Sequence, residues 1–148
     1  MTDLDKIKNW IATYPGFEAL NSFQIDYTDQ IPFNAGLFPS GLVEFSRKET
    51  ITGEIIVSNQ YNFGLYCVFT KSPNDPVGSQ YNADWLLDFQ KWVQEQSVRR
   101  QAPIFGNIDQ FQERIQAQNG VLYEVNEEGT AVYMVTLSVQ FKKLYEVI

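Results

Sequence analysis

The sequence contains no histidine. That absence excludes every catalytic dyad or triad that uses imidazole as its base, and most zinc and copper sites. Cys67 is the single cysteine, so no internal disulfide can form, and there is no Asn-x-Ser/Thr acceptor; both fit a reducing compartment. No apolar run approaches the roughly 20 residues needed to span a bilayer, and no membrane partner is expected. The opening MTDLDKIKNW lacks the apolar core of a secretory signal, which predicts a protein that stays in the cytoplasm where it is made. Basic residues are few, 11 against 18 acidic, for a net charge of −7. A DNA clamp needs clustered basic charge, and the doublets Arg47-Lys48, Arg99-Arg100 and Lys142-Lys143 read as solvated strand or helix ends. No sequence-specific nucleic-acid partner is expected. Neither G-x-G-x-x-G nor G-x-x-x-x-G-K-[ST] occurs, so no phosphate-cradling loop is present.

What is present is apolar and aromatic. The chain has 148 residues, 44% of them hydrophobic and 15% aromatic. That is enough for one domain over 1–148 with a substantial core, since chains of this size bury about 68–70% of their unfolded surface. Leu4, Ile7, Trp10, Ile11 and Tyr14 recur at helical spacing, with Thr2 or Asp3 as N-cap and Pro15-Gly16 as the stop. Phe23, Ile25 and Tyr27 alternate as a strand. A long loop is expected from Thr28 to Gly41. Residues 42–50 alternate weakly and 54–70 strongly, with Ile55, Val57, Tyr61, Phe63, Leu65, Cys67 and Phe69 sharing a parity that only Asn59 interrupts. Thr52-Gly53 between them predicts a hairpin whose second strand outruns its partner and needs another, such as a neighbouring subunit.

The prolines and glycine of Ser72–Gly78 predict a turn, and Tyr81 to about Gln96 a second helix with Trp85, Leu86, Phe89, Trp92 and Val93 inward and Asp84, Asp88, Lys91 and Glu95 outward. A second loop spans 97–111. Strands are expected at 112–118, 121–125 and 130–142, with Asn119-Gly120 either a turn or a bulge and Asn126–Gly129 a hairpin turn. The last strand is the clearest: Ala131, Tyr133, Val135, Leu137, Val139 and Phe141 alternate with polar residues. Together these predict an α+β fold, a largely antiparallel mixed sheet with two main helices packed on one face and long strand hairpins.

No catalytic constellation emerges. Cys67 shares the core parity of its strand and reads as an inert buried thiol. Asp84 and Asp88 fall on the solvated side of their helix, Glu127-Glu128 at a turn tip, and the three tryptophans at core-facing spacing. No cofactor or metal ligand set is expected, and the protein reads as a non-enzyme. The two long loops are unusually apolar. Ile31, Phe33, Leu37 and Phe38 in one, and Ile104, Phe105 and Ile108 in the other, are candidate anchors for a partner subunit. On that reading Phe33→Asp or Phe105→Asp disrupts oligomers without unfolding the chain.

The order of elements also resembles a family. The amino-terminal Ile7-x-x-Trp10-Ile11-x-x-Tyr14-Pro15, the strand Asn59-Gln60-Tyr61-Asn62-Phe63-Gly64-Leu65-Tyr66-Cys67, the helix with Leu87-x-Phe89-x-x-Trp92-Val93, the loop through Pro103 and the closing Val139-Gln140-Phe141-x-x-Leu144-Tyr145 look like the small minor capsid, or tail-terminator, proteins of Firmicutes phages and prophages. The resemblance implies a structural virion protein at the head–tail junction, made in the bacterial host cytoplasm. It implies a homo-oligomeric ring, a hexamer, that caps the tail tube and meets head-connector proteins. The alternative is a small-molecule-binding or hydrolytic α+β domain, which requires a deep pocket with a buried carboxylate of raised pKa.

Overall fold

The alternation over 130–142 becomes strand β5, Thr130–Tyr145, and that over 54–70 becomes β3, Ile55–Thr70. The computed structural model describes residues 1–19, 22–25, 34–70, 76–125 and 129–147. β3 and β5 pair antiparallel along their whole lengths, from Ile55↔Tyr145 to Thr70↔Thr130, without a register shift. Because strand side chains alternate faces, the partners Phe63↔Leu137, Leu65↔Val135 and Cys67↔Tyr133 all project to one side, and all are buried.

On that side lie α1, Asp3–Ile11, and α2, Pro76–Val98. Thr2 caps α1 in a reciprocal box: its Oγ1 accepts the Asp5 amide at 3.1 Å and the Asp5 carboxylate accepts the Thr2 amide at 3.0 Å. Ile7, Trp10 and Ile11 of α1 and Trp85, Leu86, Phe89 and Val93 of α2 join the strand residues in one core. α2 begins at Pro76, inside the segment expected to be a turn. Proline suits the first helical position, where its missing N–H has no partner to lose.

The sheet is five-stranded in the order β1-β2-β3-β5-β4, where β1 is Ser22–Ile25, β2 is Asn34–Glu49 and β4 is Arg114–Val125. β1 runs parallel to β2 and the other pairs are antiparallel, so the fold is α+β with two helices on one face of a mixed sheet. Two expectations are corrected. Residues 34–41 are strand rather than loop, because the register shift at Pro39/Gly41 absorbs the proline that lacks a ladder N–H. β3 is not short of a partner, since β2 pairs it from Ala35↔Cys67 to Glu49↔Ile55 while β5 pairs its other side. The hairpin turn closes through Thr50 N–H to the Glu54 carbonyl at 2.8 Å, with Gly53 at φ +87°. Asn119-Gly120 is a bulge within one continuous β4, with Asn119 in the left-handed region at φ 56°. Expected strand residues at 26–27, the Ser72–Asp75 part of the expected turn, and Asn126–Glu128 of the last hairpin turn lie outside the described residues.

Strand edges are closed by three different devices. β1 covers β2 over Asn34–Leu37. Along the first half of β4, side chains of α2 stand in for a strand: Ser97 Oγ accepts the Ile115 amide at 3.2 Å and Gln90 donates to the Ala117 carbonyl at 3.1 Å. Beyond Gln140, which faces Arg114 at the start of β4, the edge of β5 is taken by Asn107. Its side chain accepts the Leu144 amide at 2.7 Å and donates to the Leu144 carbonyl at 3.1 Å, and its own amide donates to the Lys142 carbonyl. Gly106 lets this segment approach, for a Cβ there would overlap the Lys142 carbonyl oxygen.

Asn107→Ala is therefore expected to cost about 1–2 kcal/mol by leaving the Leu144 groups without their protein partner. Gly106→Ala should cost about as much or more, up to ~3 kcal/mol, through steric overlap. Urea denaturation of the purified variants measures both; an unchanged midpoint for Asn107→Ala would show that water replaces the side chain without loss.

Candidate assembly surface

The seven residues picked out as subunit anchors separate into three groups. Leu37 is 0% exposed in β2 beside Leu65, and Phe105 is 4% exposed between Tyr61 and Phe141 at ring-centroid distances of 6.0 and 6.1 Å. Both are core residues of their own subunit, which corrects their reading as anchors: an aspartate at Phe105 would bury an unpaired charge rather than break an interface. Phe38 is half-buried on the sheet face away from the helices, edge-on to Tyr66 at 5.1 Å. Ile108 is half-buried in a bridge to Lys142. Ile104 is 46% exposed. Ile31 and Phe33 lie outside the described residues.

Large exposed apolar side chains concentrate elsewhere, on two stretches that the sequence reading did not single out. At the far end of the β2–β3 hairpin, Leu42, Val43 and Phe45 are each about half exposed and Ile51 fully so. At the end of β4, Val121, Leu122, Tyr123 and Val125 are 40–58% exposed. The signal was there: Leu42-Val43-x-Phe45 and Val121-Leu122-Tyr123-x-Val125 break the alternation of a strand with one buried face, placing apolar groups on both. Register shifts within each stretch, at Glu44/Ser46 and Leu122/Glu124, add to the effect by changing which face a residue meets.

These stretches are also where edge protection stops. Among the described residues, no strand pairs the outer side of β2 beyond Leu37, and the α2 side chains Ser97 and Gln90 cap β4 at Ile115 and Ala117. On the sheet face away from the helices, Phe38, Tyr66 and Tyr123 form an edge-to-face row that leads from one stretch toward the other, with centroids 5.1 and 5.3 Å apart. Around that row the face carries neutral amides, with Gln140 donating to Gln60 and Gln60 to Asn62.

The titratable groups serve structure. Cys67 is fully buried and burial pushes its thiol well above the ordinary range, which makes it a poor nucleophile. Tyr61 donates to Asp3 at 2.6 Å, and burial together with that bond raises its pKa to about 12. Glu113 is the half-buried carboxylate that the ligand-binding alternative calls for, its pKa raised by burial against the pull of two amides. Its two oxygens are engaged, one accepting the Phe105 amide at 2.8 Å and the other the Gly106 amide at 3.2 Å. The two hollows beside it hold about 150 and 220 Å³, below the roughly 300 Å³ at which small-molecule sites begin. Glu113 is a clamp on the segment that seals β5. The groove between α2 and β4, about 580 Å³, is lined by Gln90, Gln94, Gln116 and Gln118 with Lys91 and Arg114, and no carboxylate. Asp84 and Asp88 are exposed on α2.

No protein-family profile matches the chain, and no curated protein is significantly similar to it in sequence.

A pH test isolates the clamp. Because the folded protein raises Glu113 above its ordinary value of 4.5, it holds that proton more tightly than the unfolded chain does. The stability this contributes is full below that value and is lost as pH climbs through the raised one. Glu113→Gln removes the loss, so the stability of wild type relative to the variant should decline between pH 4 and pH 7. Urea midpoints at both ends measure it, and a relative stability that rises with pH would mean that the amide bonds outweigh burial.

Proposed function

We propose that this protein is a structural subunit of a phage virion, a tail-terminator or head–tail joining protein that works as a homo-oligomeric ring, a hexamer, at the head-proximal end of the tail. The observation that carries the reading is the pair of exposed apolar stretches, Leu42–Phe45 on β2 with Ile51 at the hairpin turn, and Val121–Val125 on β4, at separate places on one subunit. A closed ring uses heterologous contacts, and those require two different patches per subunit. A loop that is merely solvated has no need of Ile51 at the tip of a hairpin turn, and exposed apolar groups of this size cost solubility unless a partner covers them.

Further support comes from the resemblance of the element order to small minor capsid proteins, and from the net charge of −7, which leaves a ring bore with no general attraction for passing DNA. The tail tube and the head connector are the partners on this reading. Catalysis plays no part in it.

Light scattering after size exclusion, over a wide concentration range, with negative-stain imaging of the large species, tests the proposal. A closed ring near six subunits that binds to the ends of isolated tail tubes is the expected result. Phe45→Asp should shift the distribution to monomers with unchanged far-ultraviolet circular dichroism, whereas Phe105→Asp should unfold the chain. A folded Phe45→Asp variant that assembles like wild type, or rings that ignore tail ends, would count against the proposal.

A further inference from the structure

Resting on the ring reading, we infer that successive subunits join edge to edge: the end of β4, Val121–Val125, adds to the outer edge of β2 in the next copy, over Gly41–Phe45. The occupant of each bare edge is a second copy of this chain.

Strand direction favours this join. Across the order β2-β3-β5-β4 every pair is antiparallel, so β4 runs opposite to β2. A neighbour that keeps the same sheet sense therefore brings its β2 antiparallel to β4, the better-bonded arrangement. The bare edges are those that no described residue covers, and they hold the large exposed apolar side chains, so one contact satisfies both main-chain and side-chain demands.

The topology also sets a stagger. Val121 and Val125 of β4 pair with Met134 and Ala131 of β5, whereas Phe38 and Glu49 of β2 lie, through β3, level with Thr136 and Tyr145. The two bare edges thus sit at opposite ends of the sheet, and the neighbour is displaced along the strands by about eight residues, or ~26 Å. An unstaggered neighbour would instead present β1, which is four residues long and whose Phe23 packs on Phe17 of its own subunit at 5.0 Å. Register shifts at Pro39/Gly41 and Glu44/Ser46 confine new pairing to a short run. That limits the contact to one register.

Hydrogen exchange of the wild-type protein, compared between dilute and concentrated samples, tests the join. Amides of 41–45 and 121–125 should exchange at least about tenfold more slowly in the assembled form. Val43→Asp/Phe45→Asp and Val121→Asp/Tyr123→Asp change only exposed side chains and each leaves one edge intact. Each alone should be monomeric, and an equimolar mixture at millimolar concentration, where one weak join is populated, should give a one-to-one dimer that grows no further. Rings protected at 22–25 or 104–111 instead would overturn the edge join while the ring reading stands. A dimer of the β2 variant with itself would overturn the head-to-tail sense. Wild type that stays monomeric at millimolar concentration would overturn both.

Discussion

An antiparallel ladder of two unbroken sixteen-residue strands, β3 against β5, is the constraint that the rest of the molecule serves. Once formed, it presents one strongly apolar face, which needs a cover, and ladder edges that need partners. The face is covered by α1 and α2, which are locked to each other by aromatic rings. Trp10 stacks on Trp92 at 4.8 Å, and Tyr14 meets Trp85 and Phe89 edge-on at 5.4 and 5.3 Å. Polar ends of these rings are paired: the Trp10 indole donates to Gln96 and the Trp85 indole to the Gly16 carbonyl. Gly16 belongs to this packing, since a Cβ there would come within 2.9 Å of the Trp85 indole nitrogen.

Wherever one physical signal acted alone, the fold was legible in the sequence. β5 and β3 read as strands because alternation over more than ten residues has no helical counterpart, and α1 because capping, periodicity and the Pro15-Gly16 stop agree. What was not legible came from signals in conflict. Pro39 and Gly41 read as loop chemistry, yet bulges let β2 pass through them; Pro76 and Gly78 read as a turn, yet a helix tolerates both in its first turns. The anchors were harder still. Leu37 and Phe105 were right as apolar residues in polar surroundings and misplaced as surface, because only the tertiary path shows that 104–113 folds back over β5 with Glu113 holding its amides. A pairing such as Asn107 with Leu144 has no signature in local sequence.

Among the described residues, edge protection distinguishes three parts of the sheet from two that no described residue covers. A parallel strand, a pair of helix side chains and one asparagine each satisfy backbone groups that would otherwise recruit foreign strands. Three unrelated solutions to the same problem make the bare remainder informative. Lysine, proline and bulges blunt edges in soluble proteins, and Pro39, Lys48 and the bulges of β2 and β4 do so here in part. They restrict what can be added without forbidding it.

Energetics then decide between chain and ring. A run of four or five residues adds a few main-chain hydrogen bonds at about 1 kcal/mol net each, and burying the remaining half of several apolar side chains adds about 25 cal/mol per Å². Against this stands a cost of roughly 4–15 kcal/mol for immobilising each new subunit. A single proposed join is therefore weak, and open chains of two or three copies are sparsely populated. The last subunit to enter a ring makes two joins for one immobilisation cost, and closure leaves neither joining run, Gly41–Phe45 or Val121–Val125, unpaired on any copy. On the proposed ring, the same weakness that would keep the free subunit from aggregating through its edges would make assembly all-or-none, with the closed ring as the species that accumulates.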